Sequence, residues 1–185
     1  SVLFHVGVLI IFGGHFVGLL TPIEVFDAIG VSHGAKQVLA IIAGGIAGAM
    51  AIVGALILLH RRVFDPRIRA TSNFGDTAIL ALLTAQLVLG LSTIPLSSQH
   101  LDGSEMVKFM AWAQGIFTFQ PGAAAHISEV HWIFKAHLAL GLTIFLVFPF
   151  TRLVHMLSAP IWYLNRRGWQ LVRTRRDMAD QKNRA

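Results

Sequence analysis

Apolar residues run along the 185-residue chain in four long blocks separated by short polar breaks and one long one. Segment A covers about 2–20. Segment B covers about 36–59 ("KQVLAIIAGGIAGAMAIVGALILL"). Segment C covers about 76–96 ("DTAILALLTAQLVLGLSTIPL") and segment D about 131–157 ("HWIFKAHLALGLTIFLVFPFTRLVHML"). A bilayer core takes roughly 20 residues of helix, and each block reaches that length. The pattern predicts an all-α integral membrane bundle with four transmembrane helices. The break between C and D, about 97–130, contains "GSEMVKFMAWAQGIFTF", where Met106, Phe109, Met110, Ala113, Ile116 and Phe117 recur at helical spacing. This predicts an amphipathic helix at the outer interface, with Asp102 or Ser104 capping its start; an irregular loop is the competing reading. Segment B also carries Gly44 and Gly48 in a GxxxG-like run, a helix-packing signal of low specificity.

Composition sharpens this picture. Hydrophobic residues make up 55% of the chain and charged ones 13%, and the mean hydropathy is +0.65. Those values belong to membrane proteins, not to ordinary soluble domains. A pI near 10.8 would suit nucleic acid, but the basic residues flank apolar runs and form no patch within a soluble domain, which argues against such a partner. The chain has no cysteine. Disulfides, cysteine-ligated iron–sulfur clusters, thiolate haem ligation and covalent c-type haem attachment through these residues are excluded. Histidine is then the main metal-binding resource. No basic n-region or small-residue cleavage site marks a signal peptide. Ser1 opens directly into an apolar run, which raises the expectation that another helix precedes it in a longer protein.

Charge placement orients the bundle. Twelve of the fifteen lysines and arginines fall on one side: Arg61, Arg62, Arg67 and Arg69 between B and C, Arg152 at the end of D, and seven in the tail after Pro160. Only Lys36, Lys108 and Lys135 lie at or near the opposite loops. The positive-inside rule puts the B–C loop and the C-terminus in the cytoplasm. Segments A and D are then antiparallel. The expected division is a transmembrane domain over 1–160 and a basic cytoplasmic tail over 161–185.

Four of the nine histidines lie within spans: His5 and His15 on A, His137 and His155 on D. Polar side chains in hydrocarbon are costly unless paired or ligating. Antiparallel A and D put His5 with His155 in the inner half and His15 with His137 in the outer half. The helical rise separates His5 from His15 by ~15 Å and His137 from His155 by ~27 Å. On a continuous helix the D pair faces one way, whereas the A pair is turned by roughly 80°. Two opposed imidazoles close both axial positions of a haem iron, which suits electron transfer over oxygen chemistry. Gly7, Gly13, Gly14, Gly18 and Gly141 near the ligands would give a porphyrin clearance. Buried hydrogen-bonding histidines, a zinc site and a proton relay are the rival readings. His33, His60, His100, His126 and His131 lie in loops or at span ends and read as solvated or interfacial.

The stretches "LFHVGVLIIFGGHFVGLLTP", "RVFDPRIRAT", "LSTIPLSSQHLDGSEMVKFMAWAQ" and "FKAHLALGLTIFLVFPFTRLVHMLSAP" resemble, in order and over nearly the whole chain, the gamma subunit of respiratory nitrate reductase. That family is a di-haem cytochrome b membrane anchor with five transmembrane helices, of which this chain resembles the second to fifth. The resemblance implies an inner haem b held by His5 and His155 and an outer haem b held by His15 and His137. It implies quinol oxidation, of menaquinol or ubiquinol, on the outer side at Gly14, His15 and Lys36. It further implies partners on the cytoplasmic face of the bacterial inner membrane: an iron–sulfur beta subunit and a molybdenum alpha subunit that reduces nitrate to nitrite. No residue of this chain is expected to be catalytic toward nitrate.

Lys36 has two readings. A lysine at a membrane edge ordinarily snorkels to water; the alternative is a hydrogen bond to a quinol oxygen or a haem propionate. Arg61, Arg62 and Arg152 match the carboxylate fork of inner-haem propionates, with topology and solubility as the plainer explanation. The rival functions are a related di-haem b anchor feeding another quinone-linked reductase, such as one of sulfur metabolism, and a haem-free membrane anchor or transporter.

Overall fold

The computed structural model describes residues 2–156. It divides into two compact units, Ser1–Arg152 and Leu153–Ala185. The expected tail, 161–185, lies outside the described residues.

The elements, in order, are α1 (Val2–Leu20), α2 (Ile23–Ala28), α3 (His33–Phe64), α4 (Pro66–Ala70), α5 (Phe74–Ser97), α6 (Ser104–Phe117), a 3-10 turn at Ala123–Ile127, and α7 (Trp132–Val147) followed by 3-10 turns at Phe148–Phe150 and Arg152–Met156. No strand occurs among the described residues. Four helical stretches are long and apolar enough to cross a membrane: Val2–Leu20, His33–Phe64, Phe74–Ser97 and Trp132–Phe150. They correspond to segments A to D, and the protein is a multi-pass helical membrane protein. Large apolar side chains such as Leu9, Phe16, Ile46 and Leu146 point outward, the surface a lipid solvent requires.

Local chemistry explains the boundaries. Ser32 caps α3 by accepting from the Ala35 amide at 3.2 Å. The helix ends where Asp65 turns to extended backbone before Pro66. Asn73 and Asp76 form a reciprocal capping box that starts α5. Segment D departs from expectation. Its α-helix stops at Val147, the proline-containing Phe148–Phe150 turn is 3-10, and Thr151 is extended. Proline removes a backbone donor and crowds the preceding turn, so His137 and His155 do not lie on one continuous helix.

Close packing runs α1 on α3, α3 on α5, and α5 on α7. The α1–α3 seam is built from small residues. Ala47, Ala51 and Ala55 are all but fully buried. A Cβ at Gly7 would stand 2.7 Å from the Ala47 carbonyl oxygen, and one at Gly54 would stand 2.6 Å from the Phe4 amide nitrogen. Such close approach lets dispersion forces act where no hydrophobic effect drives helices together. The GxxxG-like pair is not this seam: Gly44 meets nothing within 4 Å, and Gly48 admits Leu91 of α5. Gly7 likewise serves helix packing instead of cofactor clearance.

The C–D connection contains the expected helix, α6. Its N-cap is Gly103, with a left-handed φ of 82° and no side-chain cap. Asp102 Oδ1 accepts from both the amide (3.3 Å) and the hydroxyl (3.0 Å) of Ser104. A side chain at position 103 would run into the His33 backbone, 2.6 Å away, so only glycine lets α6 begin against α3. Met110 and Ala113 are buried. Gln114 donates from Nε2 to the Leu19 and Thr21 carbonyls, both at 3.1 Å, and so satisfies acceptors that the end of α1 leaves open.

Candidate functional site

His15 of α1 and His137 of α7 meet with ring centres 6.2 Å apart and planes inclined by 43°. The two helices are not among the closely packed pairs; their imidazoles reach across the space between them. His15 Nδ1 lies 2.8 Å from the Ile11 carbonyl oxygen. That contact makes Nδ1 the protonated nitrogen and leaves Nε2 with its lone pair. His137 is pressed onto α5, where a Cβ at Gly90 would stand 3.0 Å from its Cε1. The Gln86 amide donates to the His137 carbonyl at 3.1 Å and lies 3.4 Å from the ring Nε2. His137 Nδ1 is buried without a partner among the described residues.

This pair fits axial ligation of a haem iron. Two metal–nitrogen bonds of about 2 Å and about 1 Å from each nitrogen to its ring centre place opposed imidazole centres about 6 Å apart. A Cβ added at Gly13, Gly14 or Gly18 would meet nothing within 4 Å, so the α1 surface around His15 is bare. Gly141 is different: its missing side chain is taken up by Gln86, 3.1 Å away. No group of three or more ligating side chains suited to a bare metal ion occurs among the described residues.

Lys36 does not snorkel. It is 7% exposed, with Nζ 2.7 Å from Met110 Sδ and 3.7 Å from the centre of the Phe26 ring. Ile23, His33, Met106 and Val107 complete the cleft around it. No carboxylate among the described residues pairs with it. Its ammonium is held by a ring face and a thioether. Nothing in the sequence periodicity announced Phe26, because α2 is too short to leave an apolar stripe. Met110 carried a helical signal but no hint of its partner. The α6 helix ties these elements together, through Gln114 to the end of α1 and through Met110 to Lys36 at the start of α3.

Where α3 ends and α5 begins, the buried Asp76 accepts from Arg152 Nε at 2.7 Å and has Arg62 Nη1 at 3.7 Å. Two of the three arginines considered for propionates therefore have a carboxylate of this chain. His5 is exposed on α1 and meets the Phe4 ring edge-on at 5.5 Å. His155 falls in the unit Leu153–Ala185, on the last described turn.

The model of the nitrate reductase gamma subunit family matches residues 1–175. The chain belongs to that family. It is 51% identical over 175 residues to the respiratory nitrate reductase 1 gamma chain of Escherichia coli, covering 95% of this chain and 77% of that one. It is 50% identical over 176 residues to the respiratory nitrate reductase 2 gamma chain of the same organism, with the same coverage. The nitrate reductase gamma chain of Bacillus subtilis is 39% identical over 166 residues, 90% of this chain and 74% of that one. The family is a membrane subunit of nitrate reductase, one component of an oxidoreductase complex.

Proposed function

We propose that this gamma chain oxidises membrane quinol on the outer side and delivers the electrons through two b haems to an iron–sulfur beta subunit and a molybdenum alpha subunit on the cytoplasmic face. The meeting of His15 and His137 carries this reading: two imidazoles at iron-spanning distance bridge two helices that do not otherwise pack closely. His15 and His137 would hold the outer haem, and His5 and His155 the inner one. Held between such imidazole pairs, a haem would supply one-electron transfer.

The rest falls to the chain's own residues. Gly14, with open space beside it, lets a planar ring approach the backbone next to His15. Lys36 would donate a hydrogen bond to a quinol oxygen or a propionate, leaving Met110 for that partner. The apolar wall of Ile23, Phe26 and Val107 keeps water from the ammonium and strengthens that bond. Arg62 and Arg152, neutralised in part by Asp76, hold the cytoplasmic end of the bundle together. The cytoplasmic loop Arg61–Arg69 and the basic tail offer the docking face for the partner subunits.

The test is haem content with a redox titration of the complete nitrate reductase complex. Two b-type signals are expected in the reduced-minus-oxidised spectrum, and His137→Ala loses one of them together with quinol oxidation. A His137→Ala complex that keeps two bis-histidine haems overturns the assignment.

A further inference from the structure

A quinol gives up two protons with its two electrons, and the cleft around Lys36 contains a group able to take them. Lys36 itself is an ammonium and can only donate. The other side chains lining the cleft are apolar or thioethers, His33 excepted. The His33 imidazole is the one base among the described residues there.

The short helix α2 meets the first turn of α3 at two places. Phe26 lays its ring 3.7 Å from Lys36 Nζ. The next residue, Asp27, accepts from His33 Nε2 at 3.2 Å. His33 and Lys36, three positions apart, share a face of α3. Exposure rises along this line: Lys36 is 7% exposed, and the side chains of His33 and Asp27 are 42% and 57% exposed. The line runs from a buried cation to a half-exposed imidazole whose partner reaches water. Gly103 closes in from the α6 side, since a Cβ there would be 2.6 Å from the His33 carbonyl oxygen. The carboxylates flanking the start of α6 are engaged elsewhere, Asp102 with Ser104 and Glu105 with Lys108. Glu24, the other acid of α2, is exposed. A carboxylate only accepts, so the Asp27 bond puts the imidazole proton on Nε2 and leaves Nδ1 with the lone pair.

We propose that His33 is the base that takes the quinol protons, with Asp27 as its positioning residue. The proposal rests on the reading of the Lys36 cleft as the quinol site. The first quinol O–H bond breaks with its proton going to His33 Nδ1 and an electron going to the outer haem iron, ferric to ferrous. The imidazolium, steadied by the Asp27 carboxylate, passes the proton to water at its exposed edge. Once the first electron has moved on, a second round takes the remaining proton and electron and leaves quinone. Lys36 holds the ring meanwhile, so binding and proton transfer fall to two residues one turn apart.

The experiment uses the complete nitrate reductase complex. In the oxidised complex, His33 is labelled with diethyl pyrocarbonate and located by mass spectrometry, with and without a short-chain ubiquinone. The quinone is expected to protect His33. Outer-haem reduction by the matching ubiquinol is then timed in His33→Ala, with both haem potentials as the control for assembly. H33A is expected to be slower by roughly 10²-fold, the lower end for loss of a general base. Its potentials stay unchanged, and added imidazole restores part of the rate. Asp27→Asn is slower than Asp27→Glu, which keeps the carboxylate. Absence of protection overturns the placement of quinol in this cleft, and the proposal with it. Protection together with a wild-type rate in H33A, or a slow H33A that imidazole does not rescue, overturns the role of His33 alone. Equal rates in D27N and D27E overturn the role of Asp27.

Discussion

His15 and His137, 122 positions apart in the chain, stand with their rings 6.2 Å from centre to centre across the space between α1 and α7. Each is held from behind, His15 by the Ile11 carbonyl and His137 by α5. If the two act on one iron, their substitutions are not additive. The double variant His15→Ala/His137→Ala should lose one b haem, no more than either single variant loses. His5→Ala should remove the other haem and leave the outer one reducible by quinol. Haem-resolved redox titration checks both; loss of two haems from His15→Ala would contradict independent sites.

Lys36 is buried without a counter-charge among the described residues, so its removal should not harm the fold. Lys36→Met keeps the length and apolar body while deleting the ammonium. Thermal stability should stay within about 1 kcal/mol of wild type or rise, since an unpaired buried charge opposes folding. Quinol turnover should fall about ten-fold or more, consistent with one charge-assisted hydrogen bond of roughly 1.5–3 kcal/mol. Steady-state quinol oxidation, with the haem spectrum as a control for assembly, reads this out. A variant with full quinol turnover would assign Lys36 to packing.

The glycines of the bundle divide into two sorts. Gly54→Ala places a Cβ 2.6 Å from the Phe4 amide nitrogen and should destabilise by about 1–3 kcal/mol through overpacking. Gly44→Ala meets open space and should be neutral, or stabilising by up to about 1 kcal/mol from helix propensity. Unfolding of the two variants in the same detergent compares them, and equal stabilities would show that the α1–α3 seam yields.

Asp76 joins α5 to Arg62 at the end of α3 and to Arg152 beyond α7. Asp76→Asn retains a polar side chain but loses the charge. Destabilisation of about 1–3 kcal/mol is expected, below the range for a fully buried ion pair because Arg152 is largely exposed. Thermal unfolding measures it, and the Arg152→Gln variant should cost less than Asp76→Asn. The reverse order would mean that Arg152 has the more important partner elsewhere.

Hydrophobic pattern alone yields the four spans, because helix length in a bilayer depends on a count of apolar residues and on little else. The distribution of arginine gives the antiparallel relation of A and D, and with it the pairing of His15 with His137. The match of long stretches to a known family implies the cofactors proposed above. Other features depend on which side chains meet across helices, and a linear pattern does not carry that. The close α1–α3 seam uses Gly7, Ala51 and Gly54, not Gly44 and Gly48, because the rotation of each helix about its axis is set by all its neighbours at once. Proline at 149 was visible in the chain, yet the extent to which it ends the α-helix depends on how the turn beyond it pairs, with Arg152 drawn onto Asp76. The inward turn of Lys36 needed Phe26 and Met110, from α2 and α6, to replace the water that a membrane-edge lysine otherwise seeks. Gln86 draws no notice in the linear pattern; only the packing of α5 against α7 sets its amide on the His137 carbonyl.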